Sequence, residues 1–187
     1  MSDIKLFIPI ILGTDREGRQ SEKVAKYLLQ KINDHPEIKT TLFDVRTVLM
    51  PMNDYGEDLK DENPSYEDLI VRSDGIIIVA PEYNHGYPGV LKSTLDLLLK
   101  EYNHKSVGLV GVSSGPFGGA RVIEQLVNVV RRLGLIVPRD DLHFPNVQDL
   151  FDDNGNLLDD SFNERTDKFL DEIVWMTKTL KWGRENL

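Results

Sequence analysis

The chain has 187 residues, 40 % hydrophobic and 28 % charged, an ordinary globular composition expected to bury roughly 70 % of the unfolded chain's surface in one domain, 1–187. Its 31 acidic and 22 basic side chains leave a formal charge of -9, which repels phosphate backbones and argues against a nucleic-acid or membrane partner. No cysteine occurs, which excludes disulfides, thiolate metal sites and cysteine nucleophiles and fits a reducing cytoplasm.

The first apolar run, Ile4–Leu12, has an internal Lys and no basic flank or small-residue cleavage site, so it reads as a strand and not a signal peptide. Pro9 lies inside it and cannot donate to a sheet ladder, so a local bulge is expected there. Ser21–Asn33 places Val24, Leu28 and Ile32 on one helical stripe. Thr40–Val45 is a weaker, alternating strand candidate, followed by a long polar loop, Val45–Asn63. Pro64–Arg72 is a short helix with an acidic head. Gly75–Ala80 and Val107–Val112 are continuous apolar runs of the kind that helices cover on both faces. Between them Pro88–Tyr102 reads as a helix, with Pro88 at its first position. Ala120–Leu133 is a further helix stopped by Gly134, Leu135–Val137 a short last strand, and Asp160–Trp182 the final helix.

Strand and helix alternate five times, which predicts a three-layer α/β/α architecture around a five-stranded parallel sheet, in the flavodoxin-like order 2-1-3-4-5. In such sheets the ligand crevice lies at the carboxyl ends of the strands, near the reversal of strand order. Three loops there are unusual. The first, Gly13-Thr-Asp-Arg-Glu-Gly-Arg-Gln-Ser21, runs into a helix N-terminus, which suits a phosphate. Thr14 and Ser21 offer hydroxyls, and Arg16 and Arg19 offer charge-assisted bonds. The same residues also make a solvated turn with an ordinary Ser cap. A nucleoside-triphosphate loop is excluded because Arg19-Gln20 replaces its Lys and hydroxyl, and the dinucleotide fingerprint because Asp15 stands at its second glycine. What remains is a site for one terminal phosphate.

The second loop and the helix after it read "PEYNHGYPGVLKSTLD", residues 81–96. Pro81 and Pro88 stiffen both ends of the corner and Gly86 permits left-handed geometry between them. The main-chain groups of Glu82, Tyr83 and Asn84 are expected to stand free above the sheet edge. There they can read a heteroaromatic ring while a tyrosine packs on its flat body. A plain β-turn before a proline-capped helix is the simpler alternative. In the third loop, Ser113-Ser-Gly-Pro-Phe-Gly-Gly-Ala-Arg121, three glycines allow close approach to a flat ligand. Arg121 sits in the first helical turn, where the dipole prefers an acid, and a surface role is the commoner explanation.

At these residues the chain resembles the NADPH-dependent FMN reductase family of flavodoxin-like quinone, azo-dye and chromate reductases. The P-E-Y-N, spacer, P-G-x-L-K motif is intact. The first loop has Thr14 in place of the usual Ser and Glu22 in place of the usual Asn, and Gly118-Gly119 matches the third loop's glycine pair. The resemblance implies a non-covalent FMN whose phosphate is held by Thr14, Arg16, Arg19 and Ser21. Pro81, Glu82, Tyr83 and Asn84 would face the isoalloxazine, and Ser114, Gly115 and Gly118 would complete its pocket. It implies hydride transfer from NADH or NADPH to the flavin N5 and onward to a small-molecule acceptor, with no catalytic side chain required. A homodimer or homotetramer is also implied; the apolar face of Pro88–Tyr102 and the last helix with Trp175 and Trp182 could serve as contacts, although core packing is the commoner use of such residues. His85 is more simply a polar contact than a proton donor.

The acidic stretch 151–160 fails the EF-hand spacing and reads as a turn, and the four histidines have no metal-ligand spacing. The alternative to an enzyme is a flavodoxin-like electron carrier or a flavin-regulated interaction protein. An open, Gly-rich third loop and the lack of a tryptophan in the three loops favour the enzyme.

Overall fold

The computed structural model describes residues 5–50 and 57–187. Ile4 of the expected first strand and the middle of the 45–63 loop lie outside them. The described residues form seven strands: β1 (Leu6–Phe7), β2 (Ile10–Leu12), β3 (Ile38–Lys39), β4 (Leu42–Asp44), β5 (Gly75–Pro81), β6 (Ser106–Val112) and β7 (Leu142–Phe144). The helices are α1 (Ser21–Asn33), α2 (Pro64–Arg72), α3 (Gly89–Leu95), α4 (Ala120–Arg132) and α5 (Ser161–Asn186).

A five-stranded parallel sheet has the order β4-β2-β5-β6-β7, and β1 pairs with β3 in a separate two-stranded sheet. The single sheet in the order 2-1-3-4-5 is corrected to this extent: the first expected strand is cut into β1 and β2, and the second, Thr40–Val45, is reduced to β4 and preceded by β3, which lies outside the expected bounds. Pro9 cuts the first, but without the expected bulge. The partner lies 32 positions ahead at Leu6–Ile38 and again at Ile10–Leu42, so no residue has been inserted. Ile8 N donates to Lys39 O (2.9 Å), Ile10 N to Thr41 O (2.8 Å) and Ile77 N to the Pro9 carbonyl (2.9 Å). Proline thus costs the ladder its own N–H and nothing else.

A second correction concerns the fifth strand. Leu135–Val137 forms only an isolated bridge, Ile136 to Ser106, and Pro138 follows it. The strand that completes the sheet is β7, whose short polar-interrupted sequence Leu-His-Phe gave no periodic signal. Pro88–Tyr102 is not one helix either. After α3 the chain turns at Asp96, and Leu97 and Leu98 are both fully buried, which one helical face does not accommodate. Tyr102 ends in a buried pair with Tyr66, hydroxyl to hydroxyl 2.6 Å.

The central strands alternate between two cores. From β5, Ile77 and Val79 face α1 and α5, where Val24, Leu28, Phe169 and Ile173 receive them. Ile76, Ile78 and Ala80 face the other way, against Tyr66, Leu91, Leu95, Ile123 and Leu126 of α2, α3 and α4. This places helices on both faces, the α/β/α arrangement expected. The alignment Pro81↔Val112↔Phe144 brings the carboxyl ends of β5, β6 and β7 level, and Leu12↔Val79 brings β2 close to them. The reversal of strand order falls between β2 and β5, so the loops after these two strands open into one crevice.

The packing of α5 on β6 depends on Gly108. A Cβ there would stand 2.1 Å from Ile173 Cδ1 and 2.7 Å from Phe169 Cζ. Gly108→Ala is therefore expected to destabilise the fold by about 1–3 kcal/mol through overpacking, read as a lower urea midpoint; an unchanged midpoint would contradict this packing.

Candidate functional site

The loop after β2 is held down from beneath. Gly13 N donates to Val79 O (2.9 Å), and Thr14, fully buried, shares a hydrogen bond with the Tyr83 hydroxyl (2.9 Å). Arg19 departs from expectation. Its side chain is only 3 % exposed and binds both Asp44 carboxylate oxygens, the Thr14 carbonyl and Glu22 Oε2. The guanidinium expected to bind an anion is thus committed to the protein, and it fixes the loop to the end of β4. Burial works to raise the Asp44 pKa but is outweighed by Arg19 and the Arg46 N–H, so the carboxyl stays below its usual range. Arg46 braces the same loop from outside, donating to the carbonyls of Asp15 (3.0 Å) and Arg16 (2.6 Å).

Two of the expected residues keep free polar groups. The Ser21 hydroxyl is buried at the first residue of α1 with no hydrogen-bond partner among the described residues. Such an orphan is costly unless a ligand satisfies it. Arg16 is exposed, with its guanidinium 5.9 Å from the Tyr83 ring centroid and no side-chain hydrogen bond among the described residues.

The second loop is more self-contained than its sequence indicates. Tyr83 and Gly86 exchange both backbone hydrogen bonds (2.9 Å each), closing a turn with Asn84 at φ 50° and His85 at φ 67°. Consecutive positive φ values are the mark of a type I′ turn. The left-handed positions are therefore Asn84 and His85, and not Gly86. Glu82 N donates to Val112 O (2.9 Å). The expectation of a free main-chain row is thus corrected: the Glu82 N–H and both Tyr83 groups are used internally. The N–H of Asn84 makes no hydrogen bond among the described residues. Pro88 caps α3 one position before the place expected.

Arg121, read from sequence as a surface charge, reaches back to this loop. Its backbone N–H donates to Glu82 Oε2 (3.2 Å) and its Nη1 to Glu82 Oε1 (3.0 Å). Glu82 thereby supplies the acid that the start of α4 favours, from a different loop. In the third loop, Gly118 and Gly119 serve the protein's own packing. A Cβ on Gly118 would meet His143 Cβ at 2.9 Å, and one on Gly119 would meet Val112 N at 2.6 Å. A close approach is made here by the loop to β6 and β7, so Gly118 serves as a support for the loop. Gly115 has open space where a side chain would be.

The three loops enclose one cavity of about 350 Å³, within the range of ligand pockets, about 300–1,000 Å³. Arg16, Arg19, Ser21, Pro81, Glu82, Tyr83 and Ser114 line it. Thr14 lies beneath it, and Asn84, Gly115 and Gly118 belong to the same loops without lining this cavity. Val147 lines it too and was missed, as were Asp44 and Arg46. Val147 N donates to Ser113 O (3.1 Å) and Asn146 N to Gly115 O (3.0 Å), so a fourth loop, after β7, braces the third. The sequence signal for it was the unassigned run "FPNV", 144–147, which is visible only once β7 is known.

The crevice defines a class: a flavodoxin-like α/β protein whose site presents a helix N-terminus at one end and a rigid aromatic turn at the other. Residues 7–149 match the family of NADPH-dependent FMN reductases, and the chain belongs to that family. It is 27 % identical to the FMN-dependent NADPH-azoreductase of Staphylococcus haemolyticus, over 88 % of this chain and 92 % of that one. It is 25 % identical to a 2-hydroxy-1,4-benzoquinone reductase of a Burkholderia species, over 96 % and 97 %. Among solved structures, the flavoenzyme NAD(P)H:(acceptor) oxidoreductase FerB of Paracoccus denitrificans shares the fold. Its TM-score is 0.73 at 21 % identity, covering 92 % of this chain and 98 % of that one. The protein is thus an oxidoreductase that depends on FMN and NAD(P)H, not a bare electron carrier. The residues fit the cofactor: an unsatisfied buried hydroxyl and a helix start for the phosphate, and Pro81, Tyr83 and Ser114 around the space for a flat ring.

Two outcomes test this geometry. Asp44→Asn, which leaves the buried Arg19 without its counter-charge, should lower stability by about 2 kcal/mol at neutral pH. A carboxylate with a depressed pKa stabilises above its ordinary range and loses that contribution as pH falls through the folded value. Denaturation midpoints of variant and wild type should therefore converge in acid, and a constant gap would refute the ion-pair account. His85→Gly relieves a left-handed β-carbon and should raise stability by up to about 1 kcal/mol. Flavin reduction at an unaltered rate would confirm that His85 shapes the turn; a large loss of rate would make it a proton donor.

Proposed function

We propose that the cavity holds FMN with its phosphate at the start of α1 and its ring between the second and third loops, within a single domain, 1–187. The buried, unpartnered Ser21 hydroxyl carries this reading, because it lies at the start of α1 in the cavity that the exposed Arg16 also lines. Thr14 supports this end from below, and Arg19 acts through its backbone and through the shape it imposes on the loop. Pro81, Glu82, Tyr83 and Asn84 form the ring's edge, with Asn84 offering the main-chain N–H that the turn leaves unused. Ser114 and Gly115 close the opposite side, and Gly118 holds their loop against β7.

When bound, FMN supplies the site that accepts a hydride from NAD(P)H and passes electrons to a second substrate. The protein's part is positional. Tyr83, tied to Thr14 and closed into its turn, holds a flat surface at fixed height. The Glu82–Arg121 pair locks the second loop to the third, so the space over the ring keeps its width between two successive reactants. An open mouth of this kind supports small planar acceptors, and the named activities of the azoreductase and benzoquinone reductase relatives support azo dyes and quinones. Free flavins and metal oxyanions belong to the same reading. A homodimer or homotetramer is included, supported by Trp175 and Trp182, each 61 % exposed on α5. Among the described residues no helix is long and apolar enough to cross a membrane. The lack of cysteine supports a cytoplasmic setting.

The FMN-loaded protein should bleach within seconds under anaerobic NADPH or NADH and regain its colour on addition of a quinone. A flavin that stays oxidised under both would overturn the assignment. Arg16→Ala and Ser21→Ala should each weaken FMN by roughly ten- to a hundredfold while leaving riboflavin affinity nearly unchanged, since only FMN carries the charge they meet. Equal losses for the two ligands would remove these residues from the phosphate site.

A further inference from the structure

The cation at the head of α4 is doing more than closing a loop. Arg121 is 42 % exposed at its side chain, and its guanidinium carbon lies 4.7 Å from the centroid of the Phe117 ring. Phe117 is itself 61 % exposed, an unusual place for a phenyl ring in the same loop as the cavity-lining Ser113 and Ser114. Glu82 lines the cavity and accepts hydrogen bonds from the backbone N–H and Nη1 of Arg121, so Arg121 is tied to a residue of the cavity wall. Nε and Nη2 of Arg121 make no hydrogen bonds among the described residues. The result is a fixed guanidinium, stacked on an aromatic ring, with a free donor edge turned to neither partner. A cation so placed keeps its charge and gains directionality, because Glu82 has already removed its rotational freedom.

We propose that Phe117 and Arg121 form a subsite for a flat aromatic group bearing an anionic substituent, positioned beside the flavin and deciding which reactants enter. The inference rests on the reading of the cavity as the FMN site. The ring of the reactant packs on the exposed phenyl, and its anion takes the free guanidinium donors, an arrangement worth more than either contact alone. On a chain of net charge -9 such a local cation is what an anionic reactant needs to overcome the general repulsion. Two sources share this chemistry: the adenine 2′-phosphate end of NADPH, and an acceptor carrying a sulfonate, carboxylate or ionised hydroxyl.

The test uses the FMN-loaded protein and two variants. Phe117→Ala removes the exposed ring, and Arg121→Lys keeps the bond to Glu82 while losing the planar donor edge. Calorimetric titration compares adenosine 2′-phosphate with adenosine, and naphthalene-2-sulfonate with 2-naphthol. Arg121→Lys should lose about tenfold in affinity for an anionic probe and less than about twofold for its neutral counterpart, whereas Phe117→Ala, which removes the packing that both share, should weaken both probes of a pair by a similar factor. Phe117→Tyr should restore wild-type binding. A selective loss for adenosine 2′-phosphate assigns the subsite to NADPH, and the reductive half-reaction should then slow with NADPH and not with NADH. A selective loss for naphthalene-2-sulfonate assigns it to the acceptor. Wild-type protein that binds neither anion, an Arg121→Lys variant that weakens anionic and neutral probes equally, or a Phe117→Ala variant that weakens neither, would overturn the proposal. Bleaching by NAD(P)H is read separately, so a protein that binds the probe but is not reduced would refute the proposed reaction and leave the subsite standing.

Discussion

Pro81 stands opposite Val112 because β5 and β6 pair over seven residues each without a slip. Everything at the site depends on that register. A parallel sheet places all its strand ends at one edge, and the two fully buried central strands make that edge rigid. Moving either strand by one residue would exchange the two cores, since Ile77 and Val79 face one layer and Ile76, Ile78 and Ala80 the other. The levels at which the three loops start are thus set by hydrophobic burial far from any ligand.

Above this edge the loops are held by polar contacts that run between elements distant in sequence. Asp44 and Arg46, at the end of β4, grip the loop after β2. Glu82, after β5, grips the start of α4. Asn146 and Val147, after β7, grip the loop after β6. Each loop is therefore braced by its neighbour as well as by its own residues, as in the Arg19 bond to the Thr14 carbonyl and the Tyr83–Gly86 turn. Preorganisation of this kind lowers the entropy lost when a cofactor binds, and it keeps the distance between the opposing walls constant through two successive reactants.

The comparison of sequence with structure is instructive at particular residues. The buried runs of β5 and β6 were legible because hydrophobicity there is continuous, and α1 and α4 because their apolar residues recur at helical spacing. The cavity's location was legible from loop composition, because such loops can only gather at the carboxyl edge. The role of Arg19 was not. An arginine beside a helix N-terminus satisfies an anion or a carboxylate equally well, and Asp44 is 25 positions away. Arg121 erred in the opposite direction, taken for a surface charge because its partner lies 39 positions earlier. Gly118 and Gly119 read as room for a ligand, and their missing Cβ atoms also make room for β6 and β7, which reach them at Val112 and His143 only once the sheet is formed.

By itself the amino-acid sequence determined which segments are buried, that they alternate as strand and helix, and which three turns carry unusual chemistry, since periodicity and backbone restriction are local properties. It also held the family motif, written contiguously in 81–96. Tertiary structure alone decided which polar groups remain free for a ligand. That depends on pairings across tens of residues, where each ion pair formed within the protein removes a donor from the site, and the Ser21 hydroxyl and the open edge of Arg121 are what these pairings leave over.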